Sequence, residues 1–429
     1  MKLGSLLTHP LFRSSLVYTI CDAANKAVPF FILPLLSYYL LPSDYGLVAN
    51  FGVLTGIISL LLMVSIDGAI SVNYYKLSRK KLKDYVFSAL MICFFSFIVL
   101  VVISLISHKW IYNLINIPLE YQLVCLLMCI LNVFTTINLT LWRLEEKPLY
   151  FGIYEITNTL LNVSLSIIFV VILKWSWQGR ISAMLLTSIL YGGLSIYLLY
   201  KRNYISIKFR KNLFLDALYF GLPLVPHLLS FWLRSGVDRA LITKFWGVGE
   251  VGLYSTGFLF GTLISFVVGA FNNAFSPYLY KLLSDKNSTT LKINKLKLVK
   301  MTYIIIIGLI ISGIIFMIIS KFILKYFFDI LYANAEIYIY WAIVSQVIQG
   351  FYILFVNYIF FARKTKQLAY ITFSCAIVHV ILSYFFIQHF GPIGAAYCSV
   401  LVAIINFFMV AYLSVTVYKM PWNIFKQTF

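Results

Sequence analysis

The sequence predicts an all-α polytopic membrane protein, with about twelve transmembrane helices in two pseudo-symmetric six-helix bundles around a central cavity. Three observations lead there. Of 429 residues, 62% are hydrophobic and 11% charged, with a mean hydropathy of +0.92. No water-soluble core needs that much apolar sequence, so lipid is the solvent for most of the chain. The apolar residues also gather into twelve runs, approximately 14–40, 45–70, 84–107, 121–142, 150–173, 181–200, 214–245, 251–278, 301–320, 335–361, 368–389 and 392–418. Each supplies the ~20 helical residues that cross a hydrocarbon core, where the backbone has to satisfy its own hydrogen bonds. Finally, the chain repeats itself.

Residues 52–77 read GVLTGIISLLLMVSIDGAISVNYYKL, and residues 257–282 read GFLFGTLISFVVGAFNNAFSPYLYKL. An offset of 205 aligns Gly52 with Gly257, Gly56 with Gly261, Ala69 with Ala274, Ser71 with Ser276, and Tyr75-Lys76-Leu77 with Tyr280-Lys281-Leu282. The turn before span two, DYGL at 44–47, matches EVGL at 250–253 at an offset of 206. Asn138, Lys147, Leu149 and Ser164 match Asn357, Lys366, Leu368 and Ser383 at an offset of 219. An ordered series whose offset changes only at loops indicates duplication, with one bundle over 1–205 and the other over 206–429. Six spans per half make the two halves insert in the same orientation, with the pseudo-twofold axis along the membrane normal. Two copies of one bundle suit a transporter, because the seam between them opens to either side in turn. The GxxxG pairs Gly52/Gly56 and Gly257/Gly261 are expected to pack span two on span one, and span eight on span seven.

The net charge of +20 by itself suits a nucleic-acid partner; its distribution argues otherwise. With a cytoplasmic N-terminus, the loops and termini on that side carry 25 Lys and Arg, against six on the other: Lys109, Lys174, Arg180, Lys244, Lys321 and Lys325. The positive-inside rule therefore places both termini in the cytoplasm, and the charge reads as topology rather than as a nucleic-acid surface. The stretch 281–300 is expected to be the longest soluble loop, and 201–213 a basic linker along the anionic leaflet. The six cysteines fall in apolar runs and read as packing residues, with no metal-site spacing. No Gly-Lys dipeptide occurs, hence no P-loop, and no cofactor is expected.

Ionisable residues inside spans are costly unless paired or wet, which makes them site candidates. Span one carries Asp22, Asn25 and Lys26 on one face of a helical turn. Span seven carries His227, Arg234, Asp238 and Arg239. Lys26 and Arg234 lie near the middle of their spans, at nearly equivalent repeat positions, each with an acid four residues away. Such cations suit an anionic group, Arg through planar, often bidentate donors and Lys as a compact charge. The plainer reading is a pair of intrahelical ion pairs that make insertion tolerable. Asp67, near the end of span two, has Asn272 as its repeat partner, and reads equally as a cavity acid or an interfacial residue. His379 reads as a packing histidine. Pro29 and Pro34, with Pro223 and Pro226, are expected to break both first helices at similar depths, as hinges.

Residues 221–261, GLPLVPHLLSFWLRSGVDRALITKFWGVGEVGLYSTGFLFG, resemble the signature of the polysaccharide-biosynthesis flippases, the O-antigen repeat-unit translocases (Wzx) of the multidrug/oligosaccharidyl-lipid/polysaccharide exporter superfamily. Gly221-Leu-Pro223, Asp238-Arg239, Glu250 and 251–254 stand where that pattern has them, and LPSDYGL at 41–47 is similar to its N-terminal element. The resemblance covers essentially the whole chain. It implies a substrate, an oligosaccharide on undecaprenyl pyrophosphate, moved to the periplasmic leaflet of the bacterial inner membrane by alternating access. It implies a cationic cavity, which fits Lys26, Arg234, Asn25 and Arg239 as pyrophosphate-side residues. Ion-gradient coupling is implied too, through Asp22, Asp67 or Asp238. Action as a monomer among membrane lipids is expected, with association with the O-antigen polymerase and chain-length regulator. Two other readings stand beside it: a multidrug or cation antiporter of the same superfamily, and the O-antigen polymerase. The polymerase reading conflicts with outward loops too short to fold a site.

Overall fold

The computed structural model describes Cys21, Val28, residues 30–285 and residues 287–423. Among the described residues the regular structure is helical, and eleven helices are long and apolar enough to cross a membrane. The first span is helical over residues 30–37. Span two runs Pro42–Met63 and resumes as Ile66–Tyr74. Spans three to six are Arg79–Ile115, Leu119–Leu144, Pro148–Ile172 and Ser176–Lys201. Span seven is Lys211–Trp246 and span eight Val248–Leu283. Spans nine to twelve are Ser288–Phe327, Glu336–Phe361, Thr365–Phe390 and Ile393–Val417.

The helix ends follow local chemistry. Pro42 and Pro148 open their helices, where a missing N–H costs nothing. The Asp44 carboxylate accepts the Leu41 N–H at 3.1 Å, satisfying a donor the first turn leaves over. Gly247 (φ 91°) and Gly391 (φ 75°) end spans seven and eleven in conformations that L side chains rarely adopt. One expectation fails here. Residues 288–300 are not a loop: Asn287 caps them, its side chain accepting from the N–H groups of Thr289 (3.0 Å) and Thr290 (3.4 Å). The 40-residue helix that follows rises ~60 Å, about twice the hydrocarbon thickness, so its basic turns extend beyond the lipid.

Packing divides the chain into Met1–Gly252 and Leu253–Phe429. The repeat boundary at 205/206 and this packing boundary differ by one span, because span seven packs in the first unit. Within that unit the core joins Phe51, Leu54, Ile58 and Leu62 of span two to Tyr85 and Ala89 of span three and Leu126, Val133 and Ile137 of span four. Asn50, buried, donates to Thr243 Oγ1 at 2.7 Å and to the Ile115 carbonyl at 2.9 Å, tying span two to spans seven and three. The basic side of the unit holds two acids that neutralise neighbouring cations. Asp84 accepts from Arg210 Nε (2.7 Å) and Ser206 (2.9 Å), which fixes the linker into span seven. Glu145 forms ion pairs with Arg202 (2.9 Å) and Lys147 (3.0 Å) and accepts from the Tyr204 hydroxyl.

In the second unit the core gathers Phe275 and Leu279 of span eight, Leu298 of span nine, Leu354 and Tyr358 of span ten, and Val410 of span twelve. The second GxxxG pair takes another partner than expected. A Cβ on Gly257 would lie 2.4 Å from Tyr338 Cβ, and one on Gly261 3.0 Å from Ala342 Cβ, so this pair admits span ten. Gly56 instead faces Trp232 of span seven at 3.1 Å. All six cysteines are buried free thiols. Buried His379 lies 3.4 Å from the Ser383 hydroxyl, on the next turn of its own helix.

Candidate functional site

Span seven enters the first unit as the helix Lys211–Gly221, tightens into a 3-10 turn at Leu222–Leu224, and continues as Val225–Trp246. Pro223 lies within that turn and Pro226 just after it, but residues 221, 222, 224 and 225 all keep right-handed helical dihedrals. Pro34 lies inside the helical stretch 30–37, where its carbonyl accepts from the Ser37 hydroxyl at 2.6 Å. Prolines here tighten helices rather than unwind them.

The sharper break falls in span two, which contains no proline after Pro42. Val64 (φ 44°, ψ 35°) and Ser65 (φ 54°, ψ 29°) are both left-handed, between Met63 and Ile66. A β-branched residue in that region is strained, and such strain persists only where packing imposes it. The imposing contact is visible: a Cβ on Gly221 would lie 1.9 Å from the Val64 carbonyl oxygen. Only glycine lets span seven meet the carbonyl that the break releases. Asp67 sits in the first turn after the break, where a negative charge is favoured. It is half-buried and within electrostatic reach of the Cys93 thiol, and among the described residues no hydrogen bond or ion pair engages its carboxylate.

About 20 Å further along span seven lie the ionisable residues of its central turns. Arg234 is half-buried, its guanidinium carbon 5.2 Å from the centroid of the Phe231 ring, and that ring meets His227 edge-on at 5.1 Å. Asp238 is buried one turn on. Arg239 caps the Ser235 carbonyl and lies within electrostatic reach of Tyr45 on span two. The helix is held in place by Trp232, whose Nε1 donates to the Val53 carbonyl at 3.0 Å, and by the Asn50–Thr243 bond. Arg234, Asp238 and Arg239 therefore lie on neighbouring turns of one helix, and Asp67 lies apart from them, beside the break. Asp22, Asn25, Lys26 and Pro29 lie outside the described residues.

One cation was assigned to the wrong place by sequence. Arg180, counted among outward loop charges, lies within the helix Ser176–Lys201 and is half-buried beside Asn162 and Ser166. The only local signal was an Arg entering an apolar run, which also reads as a flanking charge. Gly46 and Gly252, matched in the repeat, meet reciprocally: a Cβ on Gly46 would lie 1.9 Å from the Val248 carbonyl, and one on Gly252 1.8 Å from that of Pro42.

Residues 11–283, more than half of the chain, match the family described as "Polysaccharide biosynthesis protein". The chain is 24% identical over 379 residues to "Lsg locus putative protein 1" of Haemophilus influenzae (strain Rd), covering 86% of this chain and 90% of that protein. Its fold is similar to the inward-facing conformation of a multidrug resistance MATE family transporter of the MOP superfamily, with a TM-score of 0.73 at 15% identity, over 91% of this chain and 95% of that one. The outward-facing conformation of such a transporter gives 0.64 at 17% identity, over 100% of both chains. At these identities the likeness establishes the fold alone.

Proposed function

Because the chain belongs to the polysaccharide biosynthesis protein family, we propose that it is a flippase. Its substrate is an undecaprenyl-pyrophosphate-linked oligosaccharide, an O-antigen repeat unit, carried to the periplasmic leaflet of the inner membrane by alternating access, with both termini cytoplasmic. The observation that carries this reading is the pair of half-buried guanidinium groups, Arg234 and Arg239, within a membrane span of a chain in that family. A pyrophosphate is the part of such a substrate that needs cations, and guanidinium groups meet its oxygens in planar pairs. Similarity to one transporter type captured facing both ways supports alternating access. Asp67 is the favoured coupling residue: among the described residues nothing pairs with its carboxylate, which leaves it open to a coupling ion at little structural cost.

A multidrug antiporter is the second reading, favoured by the fold likeness to multidrug resistance transporters. Deletion of the gene with analysis of lipid-linked intermediates separates the two. A flippase leaves complete repeat units stranded on the cytoplasmic side. Unchanged glycolipids with altered drug resistance would overturn the flippase reading, and single units reaching the surface would indicate a polymerase. Lys26→Ala and Arg234→Ala should each abolish surface polysaccharide in inserted, abundant protein. Normal polysaccharide in both would remove the pyrophosphate site.

A further inference from the structure

The first unit contains a cavity of about 170 Å³ with apolar walls and two polar groups. Leu36 and Leu40 of span one, Val48 and Ala49 of span two and Met184 of span six form the walls; Arg180 and the Tyr45 phenol supply the polarity. Arg180 Nη1 donates to Asn162 Oδ1 at 2.6 Å and to the Ser166 hydroxyl. Both acceptors are neutral and are themselves fixed. The Ser166 hydroxyl donates to the Asn162 carbonyl at 2.6 Å, and Asn162 Nδ2 to Thr187 Oγ1 at 3.4 Å. Among the described residues, no carboxylate pairs with Arg180, and no hydrogen bond engages its Nε or Nη2. Tyr45 lies within electrostatic reach of it.

A guanidinium in an apolar cavity is costly unless an anion counters it, and neutral acceptors only aim it. The backbone around it is unusual as well. Residues Ile167–Ile172 form a π-helical segment directly after Ser166, and a Cβ on Gly179 would lie 3.0 Å from the Phe169 carbonyl oxygen. Single π-helical turns are frequent at functional sites. This one seats the start of span six against span five, beside the residues that aim Arg180. The cavity is slightly larger than the ~150 Å³ space that takes up a benzene ring, which suits one phosphate-sized group and a few methylenes but no sugar chain.

We propose that this cavity binds an oxyanion carried on an apolar chain, a phosphate ester of a lipid, with the free edge of Arg180 and the Tyr45 hydroxyl as its donors. Guanidinium and phosphate match as planar paired donors and acceptors, and the leucines of span one line the path of the hydrocarbon. The site requires nothing about what the chain transports, so it stands apart from the flippase reading. It lies at the ends of spans one and six, away from the basic loops and about one helix length from Asp67.

The test is native mass spectrometry of the purified full chain with undecaprenyl phosphate, phosphatidylglycerol or undecaprenol. Wild-type protein should retain the phosphate lipids about tenfold better than the neutral alcohol, the discrimination expected of charge-assisted hydrogen bonds. Arg180→Gln should reduce retention to the level of undecaprenol. Ala49→Leu, which narrows the cavity and leaves the bonds of Arg180 intact, should do the same, and it decides the matter if Arg180→Gln fails to fold. Retention of both phosphate lipids identifies a general headgroup site, and of undecaprenyl phosphate alone a carrier-phosphate site; either supports the assignment. Wild-type protein without preference for phosphate overturns it. Full retention by Ala49→Leu also overturns it, because the lipid then lies elsewhere.

Discussion

Spans two and eight are copies of one helix, and they fold differently. Span two breaks at Val64 and Ser65, both left-handed. Span eight runs unbroken from Val248 to Leu283, although the matching positions at the offset of 205 are Gly269 and Ala270. The copy with the glycine stays helical and the copy with the β-branched residue breaks, against conformational preference. Intrinsic propensity therefore does not place the break; the contact with Gly221 does. The polar wiring differs in the same sense. In the second unit Asn357 Nδ2 donates to Asn272 at 2.8 Å and Ser276 donates to Asn357 at 3.3 Å, a bridge from span eight to span ten. In the first unit the counterpart Asn138 accepts instead from Arg202 at 2.6 Å, and among the described residues Asp67, the counterpart of Asn272, has no such bridge. One copy is tied down where the other holds strain and a charge.

The same substitution at two glycines tests this contrast most strongly. Gly221→Ala drives a methyl into a backbone carbonyl that cannot rotate away, and should cost about 3 kcal/mol, read as a lower thermal unfolding midpoint in detergent. Gly269→Ala meets nothing within 4 Å and should instead gain about 0.5–1 kcal/mol. Equal effects at the two positions would mean that the break in span two is not imposed by span seven. Next, Asn272→Ala removes the acceptor of the bridge and should destabilise by about 1–2 kcal/mol while transport continues. Asp67→Ala should do the reverse, leaving the midpoint near wild type and slowing export at least ~10-fold in a cellular polysaccharide assay. Ser65→Gly relieves one left-handed residue and should raise the midpoint by the equivalent of about 1 kcal/mol.

The smallest effect concerns what holds Asn138 away. Glu145 binds Arg202, and although burial raises its pKa, the bonds from Tyr204, Lys147 and Arg202 outweigh that and hold it below the ordinary 4.5. A carboxyl depressed on folding stabilises fully above its unfolded pKa and loses that contribution as the pH falls through its folded one. The stability gap between wild type and Glu145→Gln should thus be constant above pH ~5 and close below pH ~4.5. A gap that persists in acid would show that the residue acts by packing rather than by charge.

Much of the fold was legible because lipid makes simple demands: long apolar runs, helices that satisfy themselves, and basic loops. Arg234, Asp238 and Arg239 were legible for the same reason, since a charge inside a span stands out. Arg180 was not, because a charge near the end of an apolar run looks the same whether it faces solvent or a cavity. The helical stretch from Ser288 was hidden by its lysines, which exclude lipid but not a helix. The break at Val64–Ser65 had no local signal, and the prolines pointed elsewhere.

The sequence by itself determined the class of the protein, the number and register of its spans and their duplication, because hydropathy and charge act residue by residue. Tertiary structure decided where the duplicated helices part company. That choice depends on which backbone carbonyl meets a glycine from a span more than 150 residues away in the chain, as Val64 meets Gly221. It also decided which cation enters a cavity where, among the described residues, its hydrogen-bond partners are neutral. Both are matters of contact, and contacts between distant spans are set by packing, which no local pattern encodes.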